Sequence, residues 1–134
     1  MKDQDFRFAL RLPLRSDIDF YEVAPAIGEK KLSVVMDPYV TLQPNTRRDR
    51  NIPAEMAAAG AKVVLIPRRD SEEGHRAWIK DVGELVRFGL DRQVALAAVT
   101  QEAANVLGLG ERLGSLAPGR DANLVFWNGD PFEP

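Results

Sequence analysis

Apolar and polar positions along this chain switch between a period of two and a period near four, and the switches mark its elements. Residues 6–12 (FRFALRL) set apolar and basic side chains in turn, the period of a strand with one buried face, and Pro13 ends it. Ser16 and Asp17 can cap a helix whose apolar positions are Ile18, Phe20, Tyr21, Val23 and Ile27; Pro25 distorts that helix unless it begins nearby. Residues 32–36 (LSVVM) are a continuous apolar run, the mark of a strand buried on both faces of a parallel sheet. Asp37-Pro38 closes it. Residues 38–51, with Pro44, Asn45 and three arginines, read as a long loop over one end of the sheet.

Pro53 suits the first turn of a helix through Glu55, Met56 and the alanines, and Gly60 caps its end. Residues 62–66 (KVVLI) repeat the buried-strand type, and Pro67 ends them. From 73 to 88, Trp78, Ile79, Val82, Leu85 and Val86 fall on one helix face. Gly89-Leu90 stops that helix, Asp91 caps the next (92–99), and Thr100 caps a third (101–107) that Gly108 terminates. A turn at Pro118-Gly119 leads into a last strand, 122–127 (ANLVFW). Strands alternate with helices, so the pattern predicts an α/β fold of βαβ units on a parallel sheet with right-handed crossovers.

Composition narrows this without changing it. The chain has 134 residues, 45% hydrophobic and 28% charged, enough for one soluble domain. That is too short for a complete eight-stranded β/α barrel, which takes roughly 200 residues or more. A formal net charge of −2 gives no reason to expect nucleic acid or an anionic membrane as partner. There is no cysteine, which excludes disulfides and thiolate metal sites. The polar start is not a signal peptide, and no apolar run approaches the roughly 18 residues of a membrane span. The expected location is cytoplasmic, although a longer parent protein could still be exported.

The tail carries the most specific pattern. Gly89-Leu90-Asp91 is followed by ALAAVT (95–100), QEAANVLGL (101–109) and ERLGSLAPGRDANLVFWNGDPFEP (111–134). These spaced elements resemble the end of amidohydrolases of the imidazolonepropionase and dihydroorotase-like group. There a Gly-Leu, an "AL.A.T" helix, an "N/E-x-A..LGL" helix and "G.L.PG..A.LV.....P" follow in order. The likeness is close over the last third and looser through residues 53–70, while residues 1–52 carry no distinctive motif. It implies a partial (β/α) barrel over 1–114 and, over 115–134, a terminal strand belonging to the family's small β-sandwich. The usual partner of that strand is an N-terminal segment absent here. Leu124, Val125, Phe126 and Trp127 would then lack their neighbours, so a homo-oligomer, or association with a complementing N-terminal half, is expected.

The resemblance also implies a chemistry: metal-assisted hydrolysis of a C–N bond in a small-molecule substrate, often a cyclic amide, with a zinc-like divalent ion activating water. The ligands the family uses are largely missing. The sequence has one histidine, His75, and no His-x-His. Asp70 matches the family's acid after the last barrel strand, imperfectly, because Pro67-Arg68-Arg69 replaces the usual small residues. It is a candidate metal ligand and general base, with His75 as a candidate beside it. Each also reads as an ordinary surface residue, with Asp70 as a cap for the following helix. Zinc sites generally need three protein ligands, so the chain alone is not expected to hold the metal. Asp37 would face the same rim, or serve only as a turn residue. Arg47, Arg48 and Arg50 in the loop, and Arg68 and Arg69 after KVVLI, could clamp a carboxylate or phosphate, or form a solvated rim. The first expectation is therefore a C-terminal piece of an amidohydrolase-like enzyme. The alternatives are a non-catalytic half-barrel that self-associates or complements another chain, and a small metal-independent hydrolase at an oligomer interface.

Overall fold

The computed structural model describes residues 8–12, 20–43 and 45–133, with Phe20 and Tyr21 as backbone only. The anticipated stop at Pro13, the caps at Ser16 and Asp17, the apolar position at Ile18 and Pro44 lie outside these residues. Three strands, β1 (Ala9–Leu12), β2 (Ser33–Met36) and β5 (Lys62–Leu65), form one parallel sheet in the order β1-β2-β5. The register sets Ala9 beside Ser33 and Ser33 beside Lys62. Helices α1 (Phe20–Glu29) and α2 (Ile52–Ala58) intervene in the chain, and α3 (Glu72–Arg87), α4 (Arg92–Val99) and α5 (Gln101–Val106) follow. The mixed α/β architecture with a parallel sheet is as the pattern predicts. No described helix is long and apolar enough to cross a membrane.

The two sheet faces differ. One carries Val34, Met36, Val63 and Leu65, all in the main core with Ile27 of α1, Met56 of α2, and Val82 and Leu85 of α3. The other carries Ala9, Arg11, Ser33, Val35, Lys62 and Val64, of which Val64 alone is buried. Burial on both faces, expected for LSVVM, therefore holds for β5 and not for β2, where Ser33 and Val35 stay half covered. Val23 is also exposed rather than an inward position of α1. Pro25 sits inside α1 without ending it. The bond it removes is to the carbonyl of Tyr21, in the first turn, where the loss is least disruptive.

The segment read as a loop contains a small antiparallel hairpin, β3 (Thr41–Leu42) with β4 (Asp49–Arg50), turned through Asn45 at φ 58°. Thr100 separates α4 from α5 but caps nothing with its side chain; its hydroxyl donates back to the Leu96 carbonyl at 2.6 Å. Residues 122–127 form no strand. A strand exists only with a ladder partner, and none of the described strands offers one.

Helix ends follow local chemistry closely. Ser71 and Asp91 accept from the amides of Gly74 and Val94, at 3.1 and 3.0 Å, capping α3 and α4. Gly89 (φ 97°) releases α3 in the left-handed conformation, with Leu90 donating back to the Leu85 carbonyl at 2.9 Å and burying its side chain. At Gly28 the reason is contact: a Cβ there would lie 1.8 Å from the Ala59 carbonyl oxygen, so α1 and the end of α2 can meet only at a glycine.

Asn51 joins two of these ends. Its side-chain oxygen accepts from the Ala54 amide at 3.1 Å, capping α2, while its amide group donates to the carbonyls of Leu85 (2.8 Å) and Phe88 (3.2 Å) at the close of α3. Asn51 is buried, so each lost partner stays desolvated. Asn51→Ala is expected to lower the unfolding free energy by roughly 2–4 kcal/mol in urea denaturation. Asn51→Asp should not rescue it, because a carboxylate keeps the cap but faces two carbonyl oxygens. A loss under about 0.5 kcal/mol for Asn51→Ala would show that the joint contributes little.

Candidate functional site

Because the strands are parallel, their C-terminal ends share one rim, where ligands of open and closed parallel sheets bind. Arg11 of β1 and Asp37, just past β2, meet there at 2.7 Å. They lie on the less buried sheet face, across one strand spacing. Asp37 is therefore an ion-pair partner as well as the turn residue before Pro38.

The chain leaves β5 through Ile66, Pro67, Arg68, Arg69 and Asp70. Arg68 lies over the Tyr39 ring, 5.0 Å from its centroid. Arg68 and Arg69 line a cavity of about 210 Å³ with Glu73, Gly74, Ala77 and Asp81 of α3. The α3 start is pressed onto this loop: a Cβ on Gly74 would come within 2.3 Å of the Arg69 carbonyl oxygen. Two cations and two acids thus share one small hollow at the rim.

Asp70 and His75 are brought near each other, with His75 Nε2 4.0 Å from Asp70 Oδ1. Asp70 has a fully exposed side chain, and His75 is largely exposed. His75 Nδ1 lies 2.7 Å from the Ser71 carbonyl oxygen, and Ser71 rather than Asp70 caps α3. Among the described residues no three of His, Cys, Asp and Glu converge on a point that could hold a metal ion. Asp70 and His75 by themselves do not fit a catalytic ion, whose coordination takes about three protein ligands.

The remaining arginines separate. Arg47 and Arg48 belong to the exposed turn of the β3–β4 hairpin, where the Arg48 carbonyl accepts from Gln43 at 2.8 Å. The hollow lined by Arg68 and Arg69 does not include them. Arg50 grips Glu55 with both ends of its guanidinium.

Asp81 is the rim residue that sequence reasoning missed. Gly74, Ala77 and Asp81 recur at three and four residues along α3, and a polar member on such a small-residue stripe was the available signal. Burial pushes its carboxyl above the ordinary value of 3.8; Arg68 pulls it down, Glu84 pushes it up and Lys80 pulls it down. The folded state therefore binds the proton more tightly than the unfolded chain. The stability this contributes is complete below pH 3.8 and is lost as pH rises through the higher folded value. Asp81→Asn should leave thermal stability almost unchanged near about pH 3 and raise it at about pH 7, relative to the wild-type protein. A drop in melting temperature at neutral pH would mean that attraction to Arg68 outweighs burial.

Comparisons with known proteins bear on the same region. The sequence pattern of the amidohydrolase family matches residues 51–133. Imidazolonepropionase of Stenotrophomonas maltophilia is 34% identical over 89 residues, 62% of this chain and 21% of that protein. Imidazolonepropionase of Erwinia tasmaniensis is 50% identical over 40 residues, 30% of this chain and 10% of that protein. Amidohydrolase tasK of Hapsidospora irregularis is 48% identical over 45 residues, 34% of this chain and 5% of that protein. The crystal structure of an amidohydrolase from Thermotoga maritima MSB8 superposes with a TM-score of 0.73 at 27% identity, covering 94% of this chain and 33% of that one. The chain spans a third or less of the length of each of these proteins.

Proposed function

This chain belongs to the amidohydrolase family, and on that premise we propose that it forms the C-terminal part of a hydrolase acting on C–N bonds, with cyclic amides as the substrate class. The observation that carries the reading is that nearly the whole chain follows the course of an amidohydrolase of known structure. On this reading β1, β2 and β5 are consecutive strands of a (β/α) barrel, and their common rim is part of its mouth.

A divalent ion bound in such a mouth would supply an activated water. Among the described residues no set fits that ion alone, so on this reading further ligands come from elsewhere. Within an assembled mouth, Asp70 is placed to provide one carboxylate, with His75 beside it. Arg68 and Arg69 supply positive charge for an anionic group of the substrate, while Arg47 and Arg48 stand apart on the β3–β4 hairpin. Arg68 is the best positioned of these, since its guanidinium lies over the Tyr39 ring just past the end of β5.

Alone, the chain should take up no stoichiometric zinc at sub-micromolar strength and should not hydrolyse cyclic amides above the buffer rate. Isothermal titration with zinc and a product assay check both. Zinc bound one to one by the isolated chain, and lost in Asp70→Ala, would overturn the division of ligands. Co-expression with a polypeptide carrying a His-x-His pair on the earlier strands should restore zinc binding and hydrolysis. Asp70→Asn should then lower that rate by at least about 100-fold. Hydrolysis by the isolated chain that survives strong chelators, and falls in His75→Ala, would point instead to metal-independent chemistry at an interface between copies.

A further inference from the structure

The hollow past the end of β5 has charged walls that do not close on one another. Arg68 and Arg69 line it from the loop, and Glu73 and Asp81 line it from α3. Among the described residues no ion pair joins either arginine to either acid. Unlike charges at one rim can pair directly, as Arg11 does with Asp37 at 2.7 Å. Here a space of about 210 Å³ stays open between them. Pockets for drug-sized ligands begin at roughly 300 Å³, so this hollow suits a smaller, polar molecule.

The walls are set by packing. Tyr39, under the Arg68 guanidinium, packs against the main core. Gly74 lets α3 press on the Arg69 backbone, so both arginines leave a fixed loop. Ala77 lies between Glu73 and Asp81 along the helix wall, and its small side chain keeps the middle of the hollow free. Asp81 is half-buried, while Glu73 is exposed and screened by water. Burial raises the Asp81 carboxyl, and the pulls of Arg68 and Lys80 do not cancel it. A partly desolvated carboxylate without a direct partner gains most from a cation that a ligand brings in.

We propose that this hollow binds the head group of a small zwitterionic α-amino acid, its carboxylate on the Arg68 and Arg69 guanidiniums and its ammonium on Asp81. A simple anion would satisfy the arginines but lie beside two acids, and a simple amine would meet the reverse conflict. A molecule carrying both charges a few bonds apart meets both walls. As a statement about substrate this rests on the hydrolase reading above, and it names the remote end of the molecule whose C–N bond is cut. The arginines are exposed and the ligand is small, so a dissociation constant of about 0.1–1 mM follows.

The test is titration of the full chain with L-alanine, propionate and ethylamine up to about 20 mM, followed by NMR amide shifts. L-alanine should give saturable shifts in the loop after β5 and the first half of α3, with propionate and ethylamine at least about tenfold weaker. No saturable binding of L-alanine, or propionate bound as tightly, would overturn the proposal. Arg69→Ala, and Ala77→Leu, which fills the hollow without changing charge, should each weaken L-alanine at least about tenfold. Lys30→Ala, between α1 and β2 at the other end of the sheet, should leave it unchanged. Equal losses in all three would reduce the effect to bulk charge and sink the idea. Asp81→Asn should abolish the preference for L-alanine over propionate, a ratio that a purely structural role would not move. Binding is read on the isolated chain, so its failure beside turnover in the co-expressed assembly removes the amino-acid head and leaves the hydrolase reading standing.

Discussion

The parallel ladder of β1, β2 and β5 governs the rest of the molecule. Parallel strands cannot be joined by tight turns, so each return must climb a helix, and all three strands deliver their C-terminal residues to one edge. The helices bury one face of the sheet and leave Arg11, Ser33, Val35 and Lys62 on the other. A parallel sheet ordinarily has both faces covered. The half-covered β2 and the polar residues beside it are thus one physical fact: over β1 and β2 the helices of this chain cover one face of the sheet only.

What could be read from the sequence was whatever residues settle with their near neighbours. The runs LSVVM and KVVLI, the α3 stripe through Val82 and Leu85, the Asp91 cap and the Gly89 stop all depend on groups within a few positions. Each appears where the pattern put it. The failures share the opposite cause. The β3–β4 hairpin has two residues a side and no hydrophobic alternation to announce it. Thr100 has the right side chain for a cap, but its hydroxyl donates to the Leu96 carbonyl instead. ANLVFW has strand propensity in every apolar residue, yet a strand is a property of a pair, and its ladder needs a second chain segment.

The site followed the same division. Asp70, His75, Arg68 and Arg69 were legible because they cluster in sequence after one strand. What each does depends on distant partners: Tyr39 lies 29 positions before Arg68, and Asp81 lies 13 positions after it, counted from their numbers. Several rim charges proved to be committed already. Arg11 holds Asp37, Arg50 holds Glu55, and Arg68 lies over the Tyr39 ring. The cluster of arginines that looked like one anion clamp is therefore a set of separate placements.

Ligand supply decides how far this chain can carry its family's chemistry. A fully exposed carboxylate interacts with a charge 4 Å away by only about 1 kcal/mol per unit charge, because water screens it. A divalent ion is held by several deprotonated groups converging in a partly dry site, each oriented by hydrogen bonds behind it. Asp70 has neither the convergence nor the dry surroundings, and His75 beside it is turned by its contact with the Ser71 carbonyl. Asp70 lies in the loop before α3 and His75 in its first turns, both open to solvent. On the proposed reading, further chain packed over the rim supplies ligands and lowers the dielectric around Asp70 in the same step, so metal affinity and completion of the proposed barrel are a single event.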